Sequence, residues 1–204
     1  VKTVDVGKEP GSPGPTQGMI LSLLAHHALA GSSVVRLKGG DPFVYGRGGE
    51  EWEYLSRRGI PVTVIPGVSS ALAVPALAGI PLTHRGVAAS FAVVTGHLAE
   101  GPNRGWDDYT GIDTLVVLMG VSRRRRIASA LVAAGRPPDE PAAFIQSGSR
   151  PDEVVSITTL REIAADGVSV ASPAVLVVGR VVSIRGRLDA GQARLSARRS
   201  SRGA

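Results

Sequence analysis

Short apolar runs rich in β-branched residues recur along the chain: Thr3 to Val6, Val34 to Leu37, Val62 to Ile65, Phe91 to Thr95, Thr114 to Met119, Ala142 to Gln146, Val154 to Thr158 and Ala174 to Val178. Each has the length of a strand and is bounded by turn-forming residues, so each reads as a strand. Between them lie segments that read as helices: Gln17 to Ala30, Gly49 to Arg58, Ser70 to Ala78 and Ser122 to Ala134. These stop at Gly31, Gly59, Gly79 and Gly135, where glycine can take the left-handed conformation that closes a helix. Thr159, with Glu162 three residues on, predicts a capping box opening one more helix. Strands alternating with helices define the α/β class. Pro81, Gly86 and the small residues between Thr83 and Ala89 interrupt the alternation. The expected organisation is therefore an N-terminal α/β domain over 1–82, a linker over 83–89, and a second α/β domain over 90–184.

Composition narrows the classes. With 204 residues, 43% of them hydrophobic, the chain can bury a real core, and Gly 26 plus Pro 14 stays below the load of low-complexity sequence. Cys 0 excludes disulfides, thiolate metal sites and cysteine nucleophiles, and fits a reducing, cytoplasmic setting; no metal is expected. The longest weakly polar stretch, Val68 to Leu82, is broken by Pro75 and Pro81 and is too short to span a bilayer.

The formal net charge of +6 is concentrated at one end. Arg185, Arg187, Arg194, Arg198, Arg199 and Arg202 stand against Asp189 alone, so the segment 185–204 carries +5 of it. This tail lacks apolar periodicity and reads as a solvated, disordered end. A protein acting on RNA through that tail is the competing class, but aromatics at 4% offer no stacking platform and the tail alone would bind only nonspecifically.

The most informative segment is VVRLKGGDPFVYGRGGEE, Val34 to Glu51. Lys38, Gly39, Gly40, Asp41 and Pro42 come directly after a strand, the place where open α/β sheets bind ligands. Paired glycines admit close approach of a ligand, and Asp41 offers a carboxylate; equally, the same residues make a tight turn with Asp41 capping the next helix. Pattern alone leaves these two readings level. Glycines also end other strands, at Pro66-Gly67 with Ser69 and Ser70, at Gly96-His97, at Met119-Gly120 and at Ser147-Gly148. Such ends line one crevice if the strands run parallel, although any single glycine there can simply terminate its strand. His84 and His97 sit in loops as potential proton-transfer or anion-contacting groups, with a structural role the simpler reading. Arg123 to Arg126 opens a helix at the end its dipole makes unfavourable for cations, and reads as a solvated face.

Taken together, Val34 to Glu51, PGVSSALAVPALAGIPLTHRGVAASFAVVTGH (66–97), TLVVLMG (114–120) and PAAFIQSGSRPDEVVSITTL (141–160) closely resemble the tetrapyrrole methylase family, and within it the uroporphyrinogen-III C-methyltransferases. The resemblance runs from about Asp5 to Val182. It implies two α/β domains with S-adenosylmethionine in the cleft between them, a homodimer, and two methyl transfers to uroporphyrinogen III giving precorrin-2, on the siroheme and cobalamin route. Carried onto matching positions, Gly39, Gly40, Asp41 and Val44 would hold the cofactor with Ser69, Ser70, Met119 and Gly148. VDVGK resembles the stretch supplying a proton-donating lysine, here Lys8. Arg36, Arg47, Arg85 and Arg150 are candidates to orient the carboxylates of the substrate. The family's opening strand, its GxGPGDP-type loop and its YDxLV stretch, whose Asp is the proposed proton acceptor, have no counterpart in these residues. A doubly wound sheet keeps its first strand in the interior, so residues 1–82 are expected to be poorly ordered or aggregation-prone in isolation, residues 86–184 to form the better-folded half, and the chain to methylate uroporphyrinogen poorly or not at all. A non-catalytic remnant of the same enzyme, or another member of the tetrapyrrole methylase family, is the alternative reading.

Overall fold

Strands β1 (Phe91–Thr95), β2 (Thr114–Leu118), β3 (Pro141–Gln146), β4 (Val154–Thr159) and β5 (Ala174–Val178) pair into one sheet in the order β1-β2-β5-β3-β4. In the computed structural model, which describes residues 1–7, 14–97 and 105–189, this sheet belongs to the second of two compact units, Val1–Ser69 and Ser70–Ala204. β1 and β2 are parallel; β5 runs antiparallel to both β2 and β3, and β4 antiparallel to β3. Accordingly β1, β2 and β3 all point the same way and end along one edge of the sheet.

Both faces of this sheet are covered, and the period-2 alternation of its strands supplies both. Val116, Ala143, Ile145, Val175 and Val177 face one core, shared with Ala71 and Val74 of helix α3 (Ser70–Leu77) and with Val181 and Val182. Their neighbours Leu115, Val117, Ala142, Phe144, Leu176 and Val178 face the other, against Ile127 and Leu131 of α4 (Arg124–Ala133) and Leu160 and Ile163 of α5 (Leu160–Ala164). Thr159 accepts from the Glu162 amide while the Glu162 carboxylate accepts from the Thr159 amide, so the capping box forms as the sequence predicts. Residues 83–89 form a tight reversal within this unit, closed by a bridge between His84 and Ala88. The basic tail does not begin disordered: backbone 182–189 is helical, with Arg185 bonded to the Ala78 carbonyl and 3.5 Å from Asp189. Residues 190–204 lie outside the described residues.

The first unit contains α1 (Gln17–Leu29), capped by Thr16 accepting from the Met19 amide, and α2 (Gly48–Ser56). Its expected strands are not formed. Thr3 to Val6, Val34 to Leu37 and Val62 to Ile65 enter no ladder among the described residues, and Val35, Leu37 and Ile65 are 87%, 84% and 82% exposed. An apolar run supplies strand composition, but a strand exists only through a paired neighbour, and no described segment provides one.

Asp113, just before β2, accepts from the backbone amides of Ala89 and Ser90 at 2.8 and 3.0 Å and from the Ser90 hydroxyl at 3.0 Å. These donors, the Ala89 amide first, hold its carboxyl below the ordinary carboxylate range. Because the folded value lies below the unfolded one, the stabilisation is complete above the unfolded value and is lost as pH falls through the folded one. We expect stability to drop on acidification below about pH 4, and Asp113→Asn to flatten that dependence, as read by urea unfolding across pH.

Candidate functional site

In the first unit, two loops lock together. The Asp41 carboxylate accepts from the Phe43 amide through one oxygen at 2.8 Å and from the Gly67 amide through the other at 3.4 Å. A Cβ at Gly67 would stand 2.3 Å from the Gly40 carbonyl oxygen, so only glycine permits this approach. Gly40 itself has φ +67. Gly39 is different: a Cβ there meets nothing within 4 Å and its backbone requires no glycine, so the bare position is left facing open space. Asp41 thus performs the turn-forming role that the sequence allowed, and it shapes the loop that exposes Gly39. Val44 and Ser70 are exposed, whereas Ser69 is buried.

Beside this loop a buried charge cluster forms, unsignalled by the sequence because it depends on burial of one glutamate on α2. Glu51, 5% exposed, receives Lys38 at 2.8 Å, Arg36 at 3.4 Å and Gln17 at 3.3 Å. Of the arginines proposed for substrate, Arg36 is therefore engaged with Glu51, Arg47 pairs with Glu50 at 2.6 Å, and Arg150 lies 3.2 Å from Asp152. Arg85 has no ion pair among the described residues. Lys8 lies outside the described residues.

In the second unit the ends of β1 and β2 meet. The Gly96 amide donates to the Leu118 carbonyl at 2.7 Å, and a Cβ on Gly96 would stand 2.5 Å from the Gly120 Cα. Met119 leaves the ladder with φ +56 and is half exposed; a non-glycine residue held in this region costs about 1–3 kcal/mol, a strain that clusters at functional loops. Met119 lines a cavity of about 290 Å³ with His97, Val121, Ser122, Ser172 and Pro173. Ser172 and Pro173 carry no sequence signal; the ladder register of β5 against β3, Gln146 opposite Ala174, brings them to this edge. At the end of β3, Ser147 and Ser149 have φ +51 and +69, and Gly148 between them packs against the Val74 side chain. The aligned ends of β1, β2 and β3 gather the second-unit positions Met119 and Gly148 along one edge. No grouping of His, Cys, Asp and Glu suited to a metal ion occurs among the described residues, and no helix there is long and apolar enough to cross a membrane.

The fold is an α/β arrangement whose second unit has strained, glycine-bounded strand ends along one sheet edge, beside a cavity. Residues 4–164 match the model of the Tetrapyrrole (Corrin/Porphyrin) Methylases, and the chain belongs to that family. It is 44% identical over 192 residues to the S-adenosyl-L-methionine-dependent uroporphyrinogen III methyltransferase of Methanosarcina barkeri, covering 89% of this chain and 73% of that protein. It is 43% identical over 187 residues to siroheme synthase 2 of Aeromonas hydrophila, covering 91% of this chain but only 40% of that relative. The chain thus spans about two fifths of the siroheme synthases it matches. Among solved structures, the uroporphyrin-III C-methyl transferase of Thermus thermophilus, complexed with S-adenyl homocysteine, superposes with a TM-score of 0.75 at 48% identity, over 82% of this chain and 75% of that one.

Proposed function

We propose that this chain carries the S-adenosylmethionine-dependent C-methylation of uroporphyrinogen III to precorrin-2. The observation that carries the reading is its 48% identity and matching fold with the Thermus thermophilus protein complexed with S-adenyl homocysteine. S-adenosylmethionine supplies, when bound, an electrophilic methyl group on a sulfonium. A pyrrole carbon is already electron-rich, so the protein's work is alignment and handling of the proton. In this reading Gly39, Gly40, Asp41, Val44, Ser69, Ser70, Met119 and Gly148 carry the cofactor contacts. The open Gly39 and the strained Met119 support these roles. Lys8 is the proton donor. The protein acts in the cytoplasm as a homodimer.

Two substitutions test the assignment. Asp41→Ala removes the acceptor of the Phe43 and Gly67 amides, and is expected to weaken S-adenosylhomocysteine binding about tenfold, a loss of about 1.4 kcal/mol, by calorimetry. Unchanged affinity would remove Gly39 to Asp41 from the cofactor site. Lys8→Met is expected to lower turnover while leaving that affinity intact; parallel loss of both would make Lys8 structural.

A further inference from the structure

Glu51 is a buried carboxylate that neither the cofactor contacts nor the proton donor accounts for. It stands in the first turn of α2, where the helix dipole favours an acid, and its amide donates to the Arg47 carbonyl at 3.2 Å. Lys38 reaches it at 2.8 Å, with the two side chains only 11% and 7% exposed, while Gln17 donates to its other oxygen at 3.3 Å and Arg36 lies 3.4 Å away. Arg36 and Lys38, alternate residues of one chain segment, thus converge on a single carboxylate. That segment enters no ladder among the described residues, so strand pairing does not hold it. Lys38 directly precedes Gly39, and Glu51 is bonded to Arg47, so their ion pair joins the two ends of the stretch 39–47. Within that stretch Gly40, Tyr45 and Arg47 have φ of +67, +54 and +60. Non-glycine residues keep such values only where their surroundings hold them there.

We propose that Glu51 is a positioning residue: paired with Lys38, it clasps the base of the 39–47 loop and holds Gly39 to Asp41 and Val44 in the arrangement that receives S-adenosylmethionine. The proposal rests on the C-methyltransferase reading for the identity of that ligand. A buried ion pair adds little net stability, because desolvation of both charges offsets their attraction, but it confines both side chains to one geometry. Glu51 acts through Lys38, since a side chain so nearly buried and already shared among three partners has little surface left for a ligand. Its neighbour Glu50 cannot replace it. Glu50 pairs with Arg47 at 2.6 Å, but both side chains are about half exposed, and water screens such a pair.

The test compares Glu51→Gln, Lys38→Met and the double variant in the full chain, by calorimetry with S-adenosylhomocysteine, by urea unfolding, and by amide hydrogen exchange without ligand. Each single variant is expected to weaken S-adenosylhomocysteine binding about tenfold and to speed exchange of the Phe43 and Gly67 amides, which donate to Asp41, by a similar factor. Amides within α1 and α2 are expected to keep their protection. Lys38→Met leaves Glu51 beside Arg36, so it carries the test if Glu51→Gln does not fold. In the double variant the buried ammonium is gone, so stability recovers part of what Glu51→Gln loses, whereas affinity stays at the level of the single variants because the clasp is still missing. Recovery of affinity together with stability would make the pair merely structural and overturn the proposal. So would wild-type affinity in both single variants, or wild-type exchange at Phe43 and Gly67. If the wild-type chain binds no S-adenosylhomocysteine while exchange at those two amides still depends on Lys38 and Glu51, the methyltransferase reading fails and the clasp on the loop stands.

Discussion

Arg136→Ala is expected to destabilise the second unit by about 3–5 kcal/mol, a large part of the stability of a typical domain. Arg136 is 4% exposed and stands directly after the Gly135 stop of α4. Its Nε and Nη2 grip both oxygens of Glu140 at 2.8 and 2.7 Å, and its Nη1 donates to the carbonyls of Tyr109 and Ile112 at 2.9 and 2.8 Å. One side chain thereby ties the start of β3 to the loop that leads into β2. Truncation leaves a nearly buried carboxylate and two carbonyls without their donor, which costs more than the pair itself contributes. The double substitution Arg136→Met/Glu140→Gln removes the orphaned charge and is expected to recover part of the loss in urea unfolding. If Arg136→Ala unfolds at the wild-type midpoint, this buried pair does not hold the loop.

The second large effect is expected at Gly67. A methyl group there stands 2.3 Å from the Gly40 carbonyl oxygen, a Cβ fixed by its own backbone against another backbone atom, so no side-chain rotation relieves it and one loop must move. Gly67→Ala is expected to lower S-adenosylhomocysteine affinity more than tenfold while the sheet of the second unit keeps its hydrogen-exchange protection. Gly39→Ala provides the contrast. Its methyl meets nothing within 4 Å, so the free protein should be as stable as the parent, and only ligand affinity should fall. Equal affinity in both variants would show that this pair of loops does not touch the ligand.

The parts of the fold that are legible in the sequence are those set by neighbours within a few residues. Gly31, Gly59, Gly79 and Gly135 mark helix ends because a left-handed residue closes a helix locally, and all four have positive φ. The Thr159–Glu162 capping box is likewise a contact across three residues. The inner strands β2, β3 and β5 are readable because both of their faces are buried, which makes them near-continuous apolar runs. Gly39 to Asp41, which follow an apolar run, and the strand ends Met119 and Gly148 stand out by the same local logic and by the family resemblance, but the roles of particular charges do not. Glu51 looks like any acid on a surface helix, and only its burial against Lys38 and Arg36 distinguishes it.

By itself, then, the sequence determined the α/β class, the helix ends, the strands of the second unit and the family to which the chain belongs. Tertiary structure decided what depends on distant partners. The order β1-β2-β5-β3-β4 and the antiparallel setting of β5 are choices among pairings that the same apolar runs would equally allow. Whether Val34 to Leu37 and Val62 to Ile65 become strands depends on a neighbour to bond with, and composition cannot supply one. The positive φ of Met119 and the cavity it lines with Ser172 and Pro173 arise only once the sheet fixes where each strand ends, because strain and enclosure are properties of positions in space.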